Sequence, residues 1–190
     1  MLSFHSCAVQ KMTERVLIGY GSRYGSTAET AEAMAKAVQE VGAQVDLVNL
    51  KKANPSSPIE DYNLVVIGSG IQAGRWTKEP LEFIKDNLNA LSKTKVAIFV
   101  VCGYAASPEK CDFAQSEFLD KIVEEYPDLS PVSTGLFTGV FDFSKYNFAV
   151  KALVKRIVKQ QMEPGEEVPE KIDFRDWEMV RNWITELVKS

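Results

Sequence analysis

Short apolar runs alternate along the chain with longer segments in which apolar residues recur every three or four positions. The runs are rich in β-branched and aromatic residues, which is typical of strands that are buried on both faces. This alternation predicts an α/β fold with repeated βα units around a parallel sheet. The five predicted strands occupy residues 16–20, 44–48, 64–68, 96–101 and 132–137.

The segments between the predicted strands have a helical period, and each carries an apolar stripe that is expected to cover one face of the sheet. The residues at the start of the second of these helices support this prediction. Thr77 stands where a helix cap is expected, and Pro80 falls in the first turn. The segment 51–58 is turn-rich and predicts a loop with at most one short helical turn. The stripes consist of Ala31, Met34, Val38 and Val41, of Leu81, Ile84, Leu88 and Leu91, and of Ala114, Phe118, Ile122 and Tyr126.

Length and apolar content place the chain in one domain. It has 190 residues, of which 45% are hydrophobic, and this suits a single α/β domain with a substantial core. We expect residues 1–14 to form a loose tail ahead of one domain at 15–190. The single histidine, His5, lies in this tail and is interpreted as a bystander.

Charge and cysteine content exclude several classes of protein. A net charge of −4 gives no basic surface for nucleic acid. Cys7, Cys102 and Cys111 are odd in number and lack CxxC spacing, so neither a disulfide framework nor a zinc site is indicated. No apolar stretch is long enough to span a membrane. These features favour a protein of the reducing cytoplasm.

The first predicted strand leads into a candidate phosphate-binding loop, GYGSRYGST, and then into an amphipathic helix. Glycines supply backbone conformations that are closed to other residues, and hydroxyl groups add donors. The unpaired N–H groups and the dipole of the helix N-terminus favour a dianion at this position. The candidate residues are Ser22, Arg23, Tyr24, Gly25, Ser26 and Thr27.

Two other phosphate loops can be compared with the same residues. A Walker A loop would end in Gly-Lys-Ser/Thr, which is missing. The dinucleotide fingerprint would begin at Gly19 and Gly21 but then meets Tyr24 where its third glycine or alanine belongs. Asp46 is spaced like the acid that binds a ribose, but it lies inside a strand. A nicotinamide site remains the weaker alternative.

Two further loops follow predicted strands and are expected beside the first one, because ligands of open α/β sheets bind at the carboxyl ends of the strands. Their glycines permit close approach to a flat ring, and Tyr104 or Trp76 is expected to stack on it. Cys102 is interpreted as a small buried residue of this site, without a partner that would activate its thiol. The candidate contacts are Ser69, Gly70, Ile71, Gln72, Ala73 and Gly74 in one loop, and Cys102, Gly103, Tyr104 and Ala105 in the other.

The loop Ser22 to Thr27 resembles the phosphate loop of flavodoxins, although Tyr24 replaces a small hydroxyl residue and Ser26 a common asparagine. The resemblance implies a flavodoxin-like doubly wound sandwich of sheet order 2-1-3-4-5, with helices on both faces and one bound FMN. It also implies a glycine peptide beside the flavin N5, at Gly70, Gly74 or Gly103.

Several other segments are similar to the menaquinone-dependent protoporphyrinogen dehydrogenases of haem biosynthesis, a family built on the flavodoxin fold. They are VVIGSGIQAGRW, SPEK, TGLFTGVFDFSKYNFAVKALVKRIVKQQ and DFRDWEMVRNWITELVKS. The similarity spans about residues 15–188 and is strong at the Asp176-Trp177-Glu178 helix start. It implies an oxidoreductase that oxidises protoporphyrinogen or a similar reduced donor with a quinone acceptor. Residues 137–146 depart from the family, which leaves the substrate open.

Two alternatives stay open beside the enzyme. A non-catalytic electron carrier would exchange electrons with a redox protein, although its usual strongly acidic face is not indicated by the net charge. A flavin-free interaction module would keep only the fold. The helix predicted at 146–162 carries Lys151, Lys155 and Lys159 as a basic stripe. We interpret this stripe as a solvated face rather than a peripheral contact with anionic lipid.

Overall fold

The computed structural model describes residues 13–159 and 165–190. The predicted tail therefore lies almost entirely outside the described residues, as do His5, Cys7 and the end of the helix predicted at 146–162. In the described part of the chain, no helix is both long enough and apolar enough to cross a membrane.

Apolar runs form strands and amphipathic segments form helices, in the alternation that the sequence predicts. The strands are β1 (Arg15–Gly21), β2 (Gln44–Asn49), β3 (Leu64–Gln72), β4 (Arg75–Trp76), β5 (Lys95–Val101), β6 (Ser133–Phe137), β7 (Val140–Asp142) and β8 (Lys171–Asp173). The helices are α1 (Ser26–Glu40), α2 (Lys78–Leu91), α3 (Pro108–Gln115), α4 (Lys121–Glu125), α5 (Phe148–Lys159) and α6 (Trp177–Lys189).

The main sheet has the order β2-β1-β3-β5-β6, and all neighbours along this path are parallel. Because β5 and β6 correspond to the fourth and fifth predicted strands, the predicted order 2-1-3-4-5 is confirmed. The register pairs Gly21 with Ser69 and Gly70 with Val101. The carboxyl ends of β1, β3 and β5 therefore meet at one edge of the sheet. The short strand β4 pairs antiparallel with β3, and β7 and β8 form a separate antiparallel pair.

The core consists of two apolar layers, one on each face of the sheet. Successive residues of a strand point to opposite faces, so Val65 enters the layer beneath α2 and Val66 the layer beneath α1 and α6. Burying both faces explains why the strands are almost continuously apolar.

The third predicted helix is interrupted by a π-helical stretch. Residues Ser116–Asp120 join α3 to α4, so that one helical segment runs over 108–125. Ala114, Phe118 and Ile122 are buried along it, as the apolar stripe predicts. An extra residue per turn in this stretch shifts the buried face slightly around the axis.

The crossover from β2 to β3 is a loop with one short 3₁₀ turn at Ile59–Asp61, in agreement with the sequence. Asp46 fastens this loop, since its Oδ2 accepts hydrogen bonds from Tyr62 OH at 2.7 Å and from Ser56 N at 2.9 Å. Burial acts to raise the pKa of Asp46, but these hydrogen bonds and the charge of Arg15 outweigh it and lower the pKa. The carboxylate is therefore committed to the loop, which removes the support it gave to a nicotinamide site.

An additional segment, residues 138–176, lies between β6 and α6, and we call it the β6–α6 segment. The sequence predicts only its helix, which the structure places at α5, whereas β7 and β8 are not predicted. The segment leaves and rejoins the domain at neighbouring points, because Thr138 Oγ1 donates a hydrogen bond to Phe174 O, and Phe174 N donates one to Gly139 O. Asp176 then accepts a hydrogen bond from Met179 N at 2.9 Å and caps α6.

The basic stripe predicted on α5 is not a continuous solvated face. The ammonium groups of Lys151 and Lys155 lie 3.1 and 3.2 Å from carboxylate oxygens of Glu170. The face that α5 exposes instead begins with Phe148, whose side chain is 90% exposed, and includes Leu153 at 61%. Periodicity alone missed Glu170 as a partner because it lies beyond the end of the helix.

Candidate functional site

The loop between β1 and α1 forms a cradle at the carboxyl edge of the sheet. Gly25 has a left-handed conformation with φ of +98° and occupies the N-cap of α1, where a side chain would be strained. Its N–H donates to Ser22 Oγ at 3.2 Å, which closes the loop. The first N–H groups of any helix lack acceptors within the helix, so this end of α1 presents donors to an anion.

Thr27 links this cradle to β3. The residue is only 3% exposed, and its Oγ1 lies 2.7 Å from the position that a Cβ on Gly70 would occupy. A larger residue at position 70 would therefore collide with the threonine. The absence of a side chain there lets the backbone of β3 approach the phosphate loop.

A cleft of about 110 Å³ lies over these carboxyl ends. It brings together residues of all three predicted loops, as the topology requires. The predicted site residues that line it are Ser22, Arg23, Tyr24, Ser26, Thr27, Gly70, Ile71, Gln72, Cys102 and Gly103.

The loop after β3 is a tight hairpin with β4. It does not run as an extended segment along the cleft, where the sequence placed residues 69–74 beside a flat ring. Ala73 and Gly74 have φ values of 48° and 74°, as a two-residue hairpin turn with twisted strands requires. They form its exposed tip, outside the cleft, whereas Gly70 remains at the cleft. Ser69 is fully buried, and its Oγ accepts a hydrogen bond from Thr77 N at 2.9 Å. Ser69 therefore fixes the start of α2 instead of lining the cleft.

The two aromatic residues expected to stack on a ring are engaged elsewhere. Trp76 is buried, and its Nε1 donates to Phe118 O at 2.6 Å. A 3₁₀ turn at Gly103–Ala106 directs Tyr104 toward Phe113, with ring centroids 5.6 Å apart. Ala105 also lies outside the cleft, and its carbonyl oxygen accepts a long contact from the thiol of Cys111 at 3.7 Å.

Part of the cleft lining was missed by the sequence, and most of it belongs to the β6–α6 segment. Val140 N donates to Ser26 Oγ at 3.1 Å, which ties β7 to the phosphate loop. Tyr146 meets Tyr24 edge to face at 4.7 Å. The aromatic residues at 141–146 were the only hint in the sequence that this segment lines the cleft. Their position depends on β7 pairing with β8, about thirty residues further along the chain, and the sequence does not show this pairing. The unpredicted lining residues are Thr77, Val101, Gly139, Val140, Phe141 and Tyr146.

Positive charge near the phosphate loop comes from two directions. The guanidinium of Arg23 lies 5.4 Å from the centroid of the Tyr24 ring. Lys145 of the β6–α6 segment places its Nζ 3.4 Å from the position of a Cβ on Gly25. Its only salt bridges in the described residues are long ones, at 4.0 Å to Glu29 and 3.7 Å to Asp142. The cation is thus held beside the loop without being tightly neutralised.

Two titratable side chains of the cleft have raised pKa values. Burial raises the pKa of the Cys102 thiol, so the thiol is protonated and a poor nucleophile at neutral pH. Burial also raises the pKa of the Tyr146 hydroxyl, with Tyr24 and Asp142 adding to the effect. The cleft is therefore suited to binding a group that carries its own chemistry.

The residues present fit the phosphate of FMN. The αL glycine, the donors at the start of α1 and the close approach of Gly70 to Thr27 together form an anion cradle without a Walker lysine. The cleft is smaller than the roughly 300 Å³ or more of typical ligand pockets. Phe141 and Tyr146 of the β6–α6 segment line it, so a flavin ring requires these side chains to move.

Comparison with known proteins defines the class. A family model described as "Flavodoxin domain" matches residues 17–167. The chain therefore belongs to the flavodoxin domain family, and the predicted resemblance to flavodoxins is confirmed.

Among curated proteins, the chain is similar to "Protoporphyrinogen IX dehydrogenase [quinone]" of Escherichia coli K12. The identity is 27% over 174 residues, which covers 91% of this chain and 94% of the relative. The protein of the same name from Leishmania major is 25% identical over 90% of this chain and 74% of the relative.

Solved structures agree on the fold. Flavodoxin 1 from Bacillus cereus superposes with a TM-score of 0.54 at 15% identity, over 93% of this chain and 98% of the flavodoxin. A flavodoxin described as WrbA-like from Agrobacterium tumefaciens has the same TM-score at 13% identity, over 93% and 96% of the two chains. At such identities the similarity concerns the fold alone.

Proposed function

We propose that this protein binds one FMN at the carboxyl edge of its sheet and works as an FMN-dependent oxidoreductase. The observation that carries the proposal is the cradle between β1 and α1, with its αL Gly25 and the Thr27–Gly70 approach. The match to the flavodoxin domain family supports it, because flavin binding is what that fold is best known for.

The residues of the cleft have distinct parts in this proposal. The N–H groups at the start of α1, with the hydroxyls of Ser22, Ser26 and Thr27, hold the phosphate. Gly70 and Gly103 line the space for the ring, and their lack of a side chain leaves room for Thr27 and Phe141 beside it. When bound, FMN supplies a ring that accepts and releases electrons together with protons. The protein orients this ring and limits the access of water.

The experiment that tests FMN binding is an absorbance spectrum of purified protein before and after addition of FMN. The wild type is expected to show flavin bands, and the triple variant Ser22→Ala, Ser26→Ala, Thr27→Ala is expected to lose most of them. Ser116→Ala, at an exposed position far from the cleft, is the matched control. Negligible uptake by wild type and variant alike would refute the proposal and favour a dinucleotide site or a flavin-free module.

For the reaction, we propose that a reduced tetrapyrrole such as protoporphyrinogen is the donor and a quinone the acceptor. The support is the pair of relatives with this printed name, which align over nine-tenths of the chain. In each turnover the donor loses two electrons and two protons, and the quinone becomes a quinol. Steady formation of porphyrin fluorescence with a quinone would support the enzyme. A flavin-loaded protein that exchanges electrons only with a redox protein would identify a carrier instead.

A lipid-soluble acceptor gives a reason for contact with a membrane surface, and we propose α5 as the contacting element. Its exposed face combines Phe148 and Leu153 with the basic residues Arg156 and Lys159, which suits an interfacial helix. Sedimentation with anionic vesicles tests this proposal. Salt-sensitive binding that Phe148→Ser with Leu153→Ser abolishes is the expected result. Binding that depends instead on Lys151 and Lys155, or no binding at all, would contradict it.

A further inference from the structure

We infer that the aromatic contacts to the flavin ring come from the β6–α6 segment, through Phe141 and Tyr146. This inference rests on the proposed binding of FMN and assigns the ring-facing residues of the same site. The β6–α6 segment thereby becomes part of the cofactor site rather than a peripheral addition to the fold.

Trp76 and Tyr104, the aromatic residues of the loops after β3 and β5, are not available to contact a flavin ring. Trp76 has its indole N–H bonded to Phe118 O inside the core, so turning it toward the cleft would break this buried hydrogen bond. Tyr104 packs against Phe113 and Phe118 on the side of α3. Of the described residues in the loops after β3 and β5, those that line the cleft are therefore not aromatic.

Other aromatic residues do line the cleft. Phe141 lies on the backbone of Gly103, since a Cβ at position 103 would be 2.4 Å from Phe141 Cζ. Tyr146 lies on Tyr24 at a centroid distance of 4.7 Å. Both side chains thus rest on residues at the carboxyl ends of β5 and β1, where the ring of the cofactor has to lie.

Phe141 and Tyr146 can exchange their present contacts for contacts with a flavin ring. Phe141 and Tyr146 are partly exposed, and each also contacts the ring of the buried Phe143, which supports it from the side of the segment. An isoalloxazine ring that enters the cleft offers each of them a flat apolar surface in place of Gly103 or Tyr24. The backbone around them stays fixed, because β7 is paired with β8 and Val140 N is bonded to Ser26 Oγ.

Affinities for FMN and riboflavin, measured side by side, test the inference. A residue that contacts the ring affects both ligands, whereas a residue that contacts the phosphate affects FMN alone. Phe141→Ala and Tyr146→Ala are each expected to weaken both ligands about tenfold and to raise the fluorescence of the bound flavin. Tyr104→Ala, an aromatic residue outside the cleft, is the matched control and is expected to change neither.

Phe141→Leu keeps the apolar volume but removes the flat face of the ring. It separates a lost ring contact from misfolding, in case the alanine variant does not fold. It is expected to weaken both ligands while the circular dichroism spectrum stays that of the wild type. Unchanged or tighter binding by the variants at positions 141 and 146, or a loss in Tyr104→Ala, would overturn the inference while leaving FMN binding intact. A wild type that binds neither flavin would overturn both.

Discussion

At the scale of single residues, the conformation of the loop between β1 and α1 was predictable and the aromatic lining of the cleft was not. Gly25, Ser26 and Thr27 are consecutive in sequence, so their joint geometry follows from one strand, one turn and one helix. The structure places Trp76 in the core and turns Tyr104 toward Phe113, and neither a distant hydrogen-bond partner nor the direction of a 3₁₀ turn can be read from the sequence. Phe141 faces the cleft only through a pairing of distant strands.

Lys145 allows a prediction about phosphate binding. Its ammonium lies beside Gly25 with only long salt bridges, so Lys145→Gln removes a positive charge close to the bound dianion. We expect affinity for FMN to fall about threefold at low salt, since exposed charge pairs contribute up to about 1 kcal/mol. The loss should vanish in high salt, and riboflavin should bind unchanged.

Titration calorimetry with both flavins provides the measurement. Lys93→Gln, which changes an exposed lysine that does not line the cleft, serves as the control for general charge. An equal loss of FMN and riboflavin affinity in Lys145→Gln would contradict a role at the phosphate.

Gly70 yields a steric prediction. Its Cβ position is 2.7 Å from Thr27 Oγ1, so Gly70→Ala forces either the Thr27 side chain or the backbone of β3 to shift at the cleft. We expect this variant to bind FMN at least tenfold more weakly, which is the cost of roughly 1.4 kcal/mol of lost complementarity. Gly42→Ala is an unsuitable control because its φ of +86° would add strain, whereas Ala106→Gly changes an exposed position of similar size. Unaltered affinity in Gly70→Ala would show that the two loops do not converge on the cofactor.

At the scale of elements, nearly all of the fold could be predicted from the alternation of apolar runs and amphipathic segments in the sequence. The five strands, their order and three helical stripes follow from apolar period and from the flavodoxin resemblance, because burial on both faces leaves a strong signal. The π-helical stretch at Ser116–Asp120 left no signal in the sequence, because its one-residue shift keeps Phe118 and Ile122 on the apolar side of the helix. The pair β7 and β8 was invisible because strands of three residues carry too few positions for a period.

The loop between β2 and β3 gives a prediction of pH dependence. The pKa of Asp46 is lowered in the folded protein, so its hydrogen bonds stabilise the fold above the unfolded pKa of about 3.9. This stabilisation is lost as the pH falls through the lower, folded value. Asp46→Asn is expected to reduce the free energy of unfolding by about 1 kcal/mol at pH 7, with the difference from wild type shrinking below pH ~4.

Urea unfolding of the two proteins at several pH values makes the comparison. Asp61→Asn, which alters an exposed carboxylate at the end of the same loop, is expected to match the wild type. A deficit in Asp46→Asn that persists unchanged at pH 3 would show that the ionised carboxylate is not responsible.

At the scale of the whole molecule, the side chain of Arg175 joins the β6–α6 segment to α1, the helix that follows the phosphate loop. Arg175 is 5% exposed at its side chain and forms ion pairs with Glu29 of α1 and with Asp173. Its guanidinium also lies 4.3 Å from the centroid of the Trp177 ring. The two parts of the site are therefore connected through a nearly buried cation.

Arg175→Met tests this connection. The variant leaves two acidic groups without their partner, and we expect the free energy of unfolding to fall by about 2 kcal/mol, below the cost of breaking a fully buried pair because Glu29 is half exposed. Calorimetry should show a lower Tm, and FMN affinity should fall with it. Arg181→Met removes an exposed pair with Glu40 at 3.4 Å and should change little. A Tm equal to that of the wild type would show that Arg175 does not hold the segment.

The hydrogen bonds between Thr138, Gly139 and Phe174 have a consequence for ancestry. Because the chain departs and returns at a single point, the intervening forty or so residues can be gained or lost without rethreading any strand of the sheet. A flavodoxin scaffold can thus acquire a new wall for its cofactor by one insertion. Residues that line the cleft can then change in a segment that contributes no strand to the main sheet.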